Sequence, residues 1–279
     1  MKKILLLMIV VVMNACGAFA QTGYVCVEPY DLNNKFMSAL STISGVNFAS
    51  EIVAQNIMKK EFAKIGKGED LKYHIDSYSS KDLKNGIFKS MSLTGKNANI
   101  DGIYLSSFDI HTLCSFNYVK QNGKNINFVE DLPLDLSLSM SASDINNTMK
   151  SDRYKKVIED VNRLGFGGIK ISSTAVEIKS NKFFYTIGIS IPFVKVEKKI
   201  SIGADLKVKN GKIDFENTRL MSNSFNLDLK KIDFIVNYLN PLDFSVKILD
   251  NKNAKVSIKN IEISDNIIST NALAVIPKD

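Results

Sequence analysis

The sequence predicts an α+β chain built from long, curved antiparallel strands with few helices, and three observations carry that expectation. Most of the chain beyond residue 70 alternates apolar and polar residues at a period of two, as in LPLDLSLSMS, residues 132–141, which suits strands with one buried and one solvated face. Helical periodicity is confined to a few stretches, so a doubly wound parallel sheet with a helix after every strand does not fit. Turn signals such as Asn210-Gly211 recur between the alternating runs and favour hairpins.

The opening MKKILLLMIVVVMNACGAFA places two lysines before an apolar run, Ile4 to Met13, and a small-residue stretch ending at Ala20. That layout predicts a signal peptide over residues 1–20, cleaved near Ala20, and a secreted, periplasmic or cell-envelope protein. The alternatives are a retained N-terminal anchor, for which ten apolar residues are short against the roughly 20 a span needs, and lipidation at Cys16, where Met13 stands in the place that lipidation signals usually give to leucine. Residues 21–279 are read as one domain, long enough for a large core without requiring two.

From Phe36 to Ile65 the period is helical. Phe48, Ile52, Val53, Ile57, Met58, Phe62 and Ile65 form a broad apolar stripe; Gly45 divides the region, and Gly66 and Gly68 end it. The second helix is expected to run for about 20 residues, or about 30 Å. Strand periodicity starts at Leu71, Tyr73 and Ile75. A polar SSKDLKNG insert follows, and then Met91 and Leu93 alternate with Ser90, Ser92 and Thr94. Across Ser106-Ser107 the apolar parity slips, from Ile103 and Leu105 to Phe108, Ile110, Cys114, Phe116 and Tyr118, which predicts a bulge or a strong bend. A turn at Gln121 to Lys124 is expected to make a long hairpin with the following strand, which puts Leu132, Leu134, Leu136, Leu138 and Met140 on one face and mostly serines on the other.

Ser143 and Asp144 mark the expected cap of a helix whose apolar face is Tyr154, Val157, Ile158, Val161 and Leu164, stopped by Gly165. Phe183, Tyr185, Ile187, Ile189 and Ile191 alternate along the next strand, and Ile200 to Val208 along its successor. A short helix from Leu229 to Leu239, closed by Pro241, precedes strands expected at Leu242–Ile248, Val256–Ile263 and Ala272–Ile276. Each half thus reads as helix, then meander.

The segments KKEFAKIG, LKNGIFKSMSLTGKNANIDGIYLSSFDIHTLC, LPLDLSLSMSASDIN and LKVKNGKIDF, in that order, resemble the LmeA-like phospholipid-binding proteins of bacterial envelopes. The resemblance spans roughly residues 46–225, and GIFKSMSLTGKNANIDGIYLSS is its most specific part. It implies a tubular lipid-binding-like architecture: a long, strongly curved antiparallel sheet wrapped around a long N-terminal helix, with an apolar groove for acyl chains. The family carries no catalytic residues to transfer. The groove candidates are Phe48, Ile52, Val53, Ile57 and Phe62 on the helix, Leu134, Leu136, Leu138 and Met140 on one strand, and Phe183, Tyr185, Ile187 and Ile189 on another. Withdrawing a two-chain lipid from water hides on the order of 30 methylenes at about 0.8 kcal/mol each, which only a collective apolar lining can offset.

Charge and chemistry narrow the classes further. The formal charge of +7 comes almost wholly from lysine, with arginine only at 153, 163 and 219, so nucleic-acid binding is not expected. Lysines spread over solvated faces would suit an anionic membrane surface. Beyond the leader, Cys26 and Cys114 either pair, stapling the N-terminal segment to a strand, or remain two thiols. His74 and His111 fall on different strands, too few for a zinc site. No nucleophile, zincin, phosphate-loop or calcium-loop motif occurs, and GFGGIK at 165–170 follows a helix where a nucleotide-binding turn follows a strand. A carboxylate pair for glycoside hydrolysis would carry no signature here. The chain is therefore expected to be no enzyme and to need no cofactor, with phospholipid or another acyl lipid as its partner. The alternative is a structural or adhesion-type envelope domain whose sheet edges bind other proteins.

Overall fold

The computed structural model describes residues 24–32, 46–122, 125–163, 170–223, 236, 238–242, 244 and 254–279. The leader, the helix expected before Gly45, Leu164 and most of the 229–239 region lie outside them. The described chain is α+β with three antiparallel sheets. Helix α1 (Val46–Phe62) leads into β1 (Gly66–Asp76), a short α2 (Ser80–Lys84), β2 (Ile87–Phe88), β3 (Ser90–Ile100) and β4 (Ile103–Thr112). Then come β5 (Asn117–Asn122), β6 (Asn125–Phe128), β7 (Leu132–Ser141), α3 (Ala142–Met149) and α4 (Asp152–Arg163). Strands β8 (Lys170–Lys179), β9 (Lys182–Ser190), β10 (Lys198–Lys209), β11 (Lys212–Asn223), β12 (Lys255–Ser264) and β13 (Ile267–Ile276) complete the order.

The main sheet has six strands in the order β1-β3-β4-β7-β13-β12; β11-β10-β9-β8 form a four-stranded meander and β2-β5-β6 a small third sheet. The expectation of two helix-and-meander halves holds for α3 and α4 followed by β8 to β11, but not for the end of the chain. The last two strands return to the first sheet, where β13 pairs along the whole of β7 from Ile267↔Ser141 to Ile276↔Leu132. The expected hairpin into β7 is likewise replaced: β5 pairs with β6, and β7 pairs with β4.

Strand β7 lies in the middle of the main sheet. Its leucines are buried, with Leu134 and Leu136 wholly so, while Ser137 is exposed. Ala274 and Ala272 of β13 stand opposite Leu134 and Leu136, so a small side chain beside each large one keeps the buried face level. On the outer face Ser137 donates to Asn271 Oδ1 at 2.9 Å, and the Ser139 and Ser269 hydroxyls lie 3.3 Å apart.

The parity slip at Ser106-Ser107 is present: Leu105 and Phe108 are both buried around the two half-buried serines. Neighbouring strands slip with it. On β3, Lys96 and Asn97 are both exposed between buried Gly95 and Ala98, and β1 shifts register on either side of Glu69. Asn97 (φ 45°) and Asp70 (φ 50°) take left-handed backbone there, a conformation that their short polar side chains tolerate. The β3–β4 pairing keeps its register through the slip, while the irregularity in β1 adds to the local twist, so the three strands share one corner of the sheet.

Beyond that corner β7 no longer follows β4. It ends at Ser141, which caps α3: its hydroxyl accepts from Asp144 N–H while the Asp144 carboxylate accepts from Ser141 N–H at 2.8 Å. The cap is therefore Ser141, two residues before the expected Ser143, because a reciprocal box needs the acid three residues after the cap. Helix α3 then takes the place of a strand. Thr148 Oγ1 accepts from Tyr104 N–H at 2.9 Å on β4, and the Asn146 side chain pairs with both backbone groups of Val176 on β8, at 2.8 and 2.9 Å. From α4, Asn162 brackets Ile171 in the same way at 3.1 and 2.7 Å. Two asparagines thus occupy the open edge of β8, satisfying backbone groups that would otherwise stay unpaired.

The second sheet buries Phe183, Tyr185, Ile187 and Ile189 in the same hydrophobic cluster as β7. Tyr154 and Tyr185 converge on the carbonyl of Leu239, at 2.6 and 2.9 Å, with their hydroxyls 2.9 Å apart. Burial pushes both phenols well above their ordinary pKa, so both remain protonated and able to donate. Pro241, Leu242 and Phe244 are helical, which overturns the strand expected to begin at Leu242; the rest of that segment lies outside the described residues.

Helix α1 also departs from expectation. It has 17 residues, about 25 Å at 1.5 Å per residue, and packs beside β1 and α2. The described residues contain no strongly curled sheet and no long helix for a sheet to wrap. Met58 and Phe62 are buried, but Ile52, Val53 and Ile57 are 41%, 60% and 56% exposed. Their 3.6-residue spacing makes a stripe wider than the contact that one edge strand offers.

Cys26 and Cys114 form a disulfide, with Cα atoms 5.5 Å apart across a separation of 88 residues. It holds the N-terminal segment on the small sheet, where Tyr30 packs at a tilt against Phe116 with ring centroids 5.0 Å apart and donates to Glu130 at 2.7 Å. A structural disulfide belongs to an oxidising compartment outside the cytoplasm, and no described helix is long and apolar enough to cross a membrane. Replacing both cysteines by alanine should lower stability by about 2–4 kcal/mol, read as a fall in melting temperature that reductant reproduces in the parent protein. Leu136→Asp should leave the chain unfolded by circular dichroism, because it places a carboxylate where exposure is nil, whereas Ser137→Asp on the solvent face should melt like the parent.

Candidate functional site

Between α1, α2, the small sheet and the near ends of the main strands lies a half-open cavity of about 450 Å³. Its wall on α1 is Ala54, Ile57, Met58 and Glu61, spaced i, i+3, i+4 and i+7 and so on one helix face. Facing them are Ile75 of β1, Phe88 of β2, Met91 of β3, Val119 of β5, Phe128 of β6, Leu132 of β7 and Ile276 of β13. With Leu83 of α2, nine different strands and helices thus contribute apolar groups to one hollow, and the polar groups are few: Glu61, Lys84, Asn85 and Lys120.

The lip of the cavity is the polar insert that sequence periodicity passed over. Ser79 caps α2, accepting from Asp82 N–H at 3.1 Å and donating to the Asp82 carboxylate at 2.6 Å. The following turn brings Leu83, Lys84 and Asn85 to the hollow. Gly86 closes the turn at φ 83°, where an added Cβ would stand 1.8 Å from the Val119 carbonyl oxygen. Only glycine permits that approach, by which Val119 N–H reaches the Gly86 carbonyl at 3.0 Å. The serine-x-x-aspartate spacing was a legible helix-start signal, but nothing in the sequence said that this turn would meet a hollow.

Electrostatically the site is an apolar chamber with charged margins. Lys120 Nζ lies 5.0 Å from the Tyr118 ring centroid. Glu61 pairs with Lys64 through Oε1, while its Oε2 is buried with no hydrogen-bond partner among the described residues. A buried acceptor left unpaired costs about 1–3 kcal/mol, so the wall favours a guest that brings a donor.

Of the sequence-predicted groove residues, Ile57 lines this cavity. Phe62, Leu134, Leu136, Met140, Phe183, Tyr185, Ile187 and Ile189 lie in the main core cluster, Ile52 and Val53 are exposed, and the Phe48 side chain lies outside the described residues. Leu138, also in that cluster, reaches a second concavity of about 700 Å³ at the corner of the main sheet, whose walls include Lys72, Thr94, Ser107, Asp109, Ser137, Ser139, Ser269 and Asn271. This second hollow has a mixed wall, with Phe108 and Leu138 among the polar side chains. His111 sits on the same sheet face, 3.5 Å from Asp109 and 3.6 Å from Asp135, while His74 is exposed on β1. Among the described residues no three His, Cys, Asp or Glu side chains converge to hold a metal ion.

Comparison of the chain with family models, with curated proteins and with solved structures finds no match in any of the three. Ile57→Glu should abolish uptake of a fluorescent fatty-acid probe while leaving the melting temperature within a few degrees of the parent, because Ile57 is 56% exposed and tolerates charge on the folded surface.

Proposed function

We propose that this is a lipid-binding protein of the bacterial cell envelope, not an enzyme, that holds an acyl chain of a phospholipid or related lipid in the cavity beneath α1. The observation that carries the reading is the lining: apolar groups from nine elements surround a hollow with charged groups at its margins. Its volume falls within the roughly 300–1,000 Å³ typical of small-molecule sites. At about 30 Å³ for a water-sized group, it accommodates about 15 such groups, the scale of one acyl chain. Burying that many methylenes is worth about 12 kcal/mol before the guest's ordering is subtracted. Ile52 and Val53, a turn before Ile57 on α1 and both exposed, continue the apolar surface past the cavity and suit the second chain of a two-chain lipid.

Two further features support the reading. The leader-like residues 1–20 and the disulfide agree with a periplasmic or secreted location, and the order of sequence segments resembles LmeA-like phospholipid-binding proteins. Kinship with tubular lipid-binding folds is proposed on that resemblance.

The test is direct. Protein stripped of lipid in organic solvent, refolded and incubated with an envelope lipid extract should emerge from gel filtration carrying phospholipid identified by mass spectrometry, and Ile57→Glu should emerge without it. Parent protein that stays lipid-free across the extract overturns the proposal and favours the protein-binding envelope domain.

A further inference from the structure

The loop joining β9 to β10 reads Ile191-Pro192-Phe193-Val194-Lys195-Val196-Glu197. Phe193 is fully exposed, Val196 is 68% exposed and Val194 43%, so three apolar side chains project from one tip into solvent. The loop is built rather than slack. At its base the Glu197 carboxylate accepts hydrogen bonds from Ser172 Oγ at 2.6 Å and Ser173 Oγ at 2.7 Å on β8, and these bonds hold its carboxyl below the usual carboxylate range. Gly188 makes room for the clamp, since a Cβ there would stand 2.1 Å from Ser173 Oγ and 2.3 Å from Glu197 Oε1. Val194 N–H donates to the Ile191 carbonyl at 3.1 Å, and Phe193 holds a left-handed φ of 67°, a conformation a bulky residue rarely adopts without constraint. A chain free to hide Phe193 would do so; this one is pinned with the ring outward.

We propose that the β9–β10 loop is a membrane-docking tip, in which Phe193, Val194 and Val196 enter the interfacial layer of an anionic lipid bilayer. Charge complementarity selects that occupant. Lys195 lies within the tip, Lys199 follows it, and Lys170 pairs with Ser190 at its base; all three are exposed and form no salt bridge among the described residues. The only acid in the loop, Glu197, accepts from the two serines and also feels the charge of Lys199, which leaves Lys195 and Lys170 without an acid beside them among the described residues. Lysines flanking an aromatic and two aliphatic side chains match the interface of a membrane with negative head groups. A protein partner fits less well, because three side chains fall far short of the roughly 800 Å² that each side of a stable interface buries. This inference concerns how the protein meets a bilayer and does not depend on the cavity being filled.

The chain contains no tryptophan, so Phe193→Trp places a single reporter at the tip of the full chain. With vesicles of phosphatidylcholine and phosphatidylglycerol its emission should shift to the blue and be quenched by brominated lipid, and with phosphatidylcholine alone the response should be weaker. In that background Lys195→Glu with Lys199→Glu should weaken the response to anionic vesicles by about tenfold in lipid concentration, since each juxtamembrane lysine contributes to surface attraction. Emission that stays at its aqueous position with anionic vesicles overturns the proposal. So does a blue shift that appears with rising protein concentration in the absence of vesicles, which would assign the tip to contact with a second copy. Loss of lipid from the cavity would leave all these outcomes unchanged.

Discussion

The architecture depends on how two strand edges are satisfied once β7 turns away at Ser141. Backbone N–H and C=O groups buried in a core must find partners, and on β4 and β8 they find the side chains of α3. Thr148 takes the Tyr104 amide, Asp144 receives the Ser106 hydroxyl, and Asn146 pairs with both groups of Val176. One eight-residue helix thereby joins the main sheet to the edge of the second. The corner through Asp70, Asn97 and Ser106-Ser107 is what makes room for it, since strands that ran straight would have kept β7 beside β4 along its full length.

The second sheet is fastened from other sides as well. Asn162 brackets Ile171, the two buried tyrosines meet at the Leu239 carbonyl, and Ile258 N–H of β12 reaches the Gly211 carbonyl at the β10–β11 turn at 2.9 Å. Around the cavity, by contrast, the wall is assembled from sequence-distant pieces. The disulfide ties residue 26 to residue 114, and Asp279 bonds to Phe128 through both its side chain and its amide. Helix α1 meets the body through Met58 and Phe62 near its C-terminal end and through Glu51 near its start, whose carboxylate accepts from Ser77 N–H and Oγ at 3.0 and 2.7 Å, and the hollow lies between that helix and the small sheet.

The distribution of polarity follows the same logic. The main sheet hides leucine and isoleucine on one face and on the other carries serine, threonine, asparagine and ion pairs such as Lys259 with Asp135 at 2.9 Å. Exposed pairs of that kind add little stability, typically below about 1 kcal/mol, and their role is to keep the outer face wet. Against that background the described residues leave several apolar side chains in the open, among them Val53 and Ile57 on α1, Phe193 and Val196 at the β9–β10 tip, Val25 in the N-terminal segment and Met221 on β11.

Much of the local structure was legible from residue periodicity alone. Alternation identified the buried faces of β7, β9 and β10, the slip at Ser106-Ser107 marked the corner, and Asn210-Gly211 marked a hairpin. These features are decided by nearest neighbours along the chain, because a strand's faces and a turn's dihedral angles depend on consecutive residues. The partners of those faces were decided only in three dimensions. Leu134 and Leu136 carried the same apolar signal whether they were to line a groove or fill a core, and Met91, Phe128 and Ile276 gave no hint that they would share a hollow. Burial rewards apolar area regardless of what covers it, so the pattern of one strand cannot encode which distant strand, helix or guest arrives opposite. That choice was made by the return of β13 to β7, the closing of Cys26 on Cys114 and the placing of α1 beside β1.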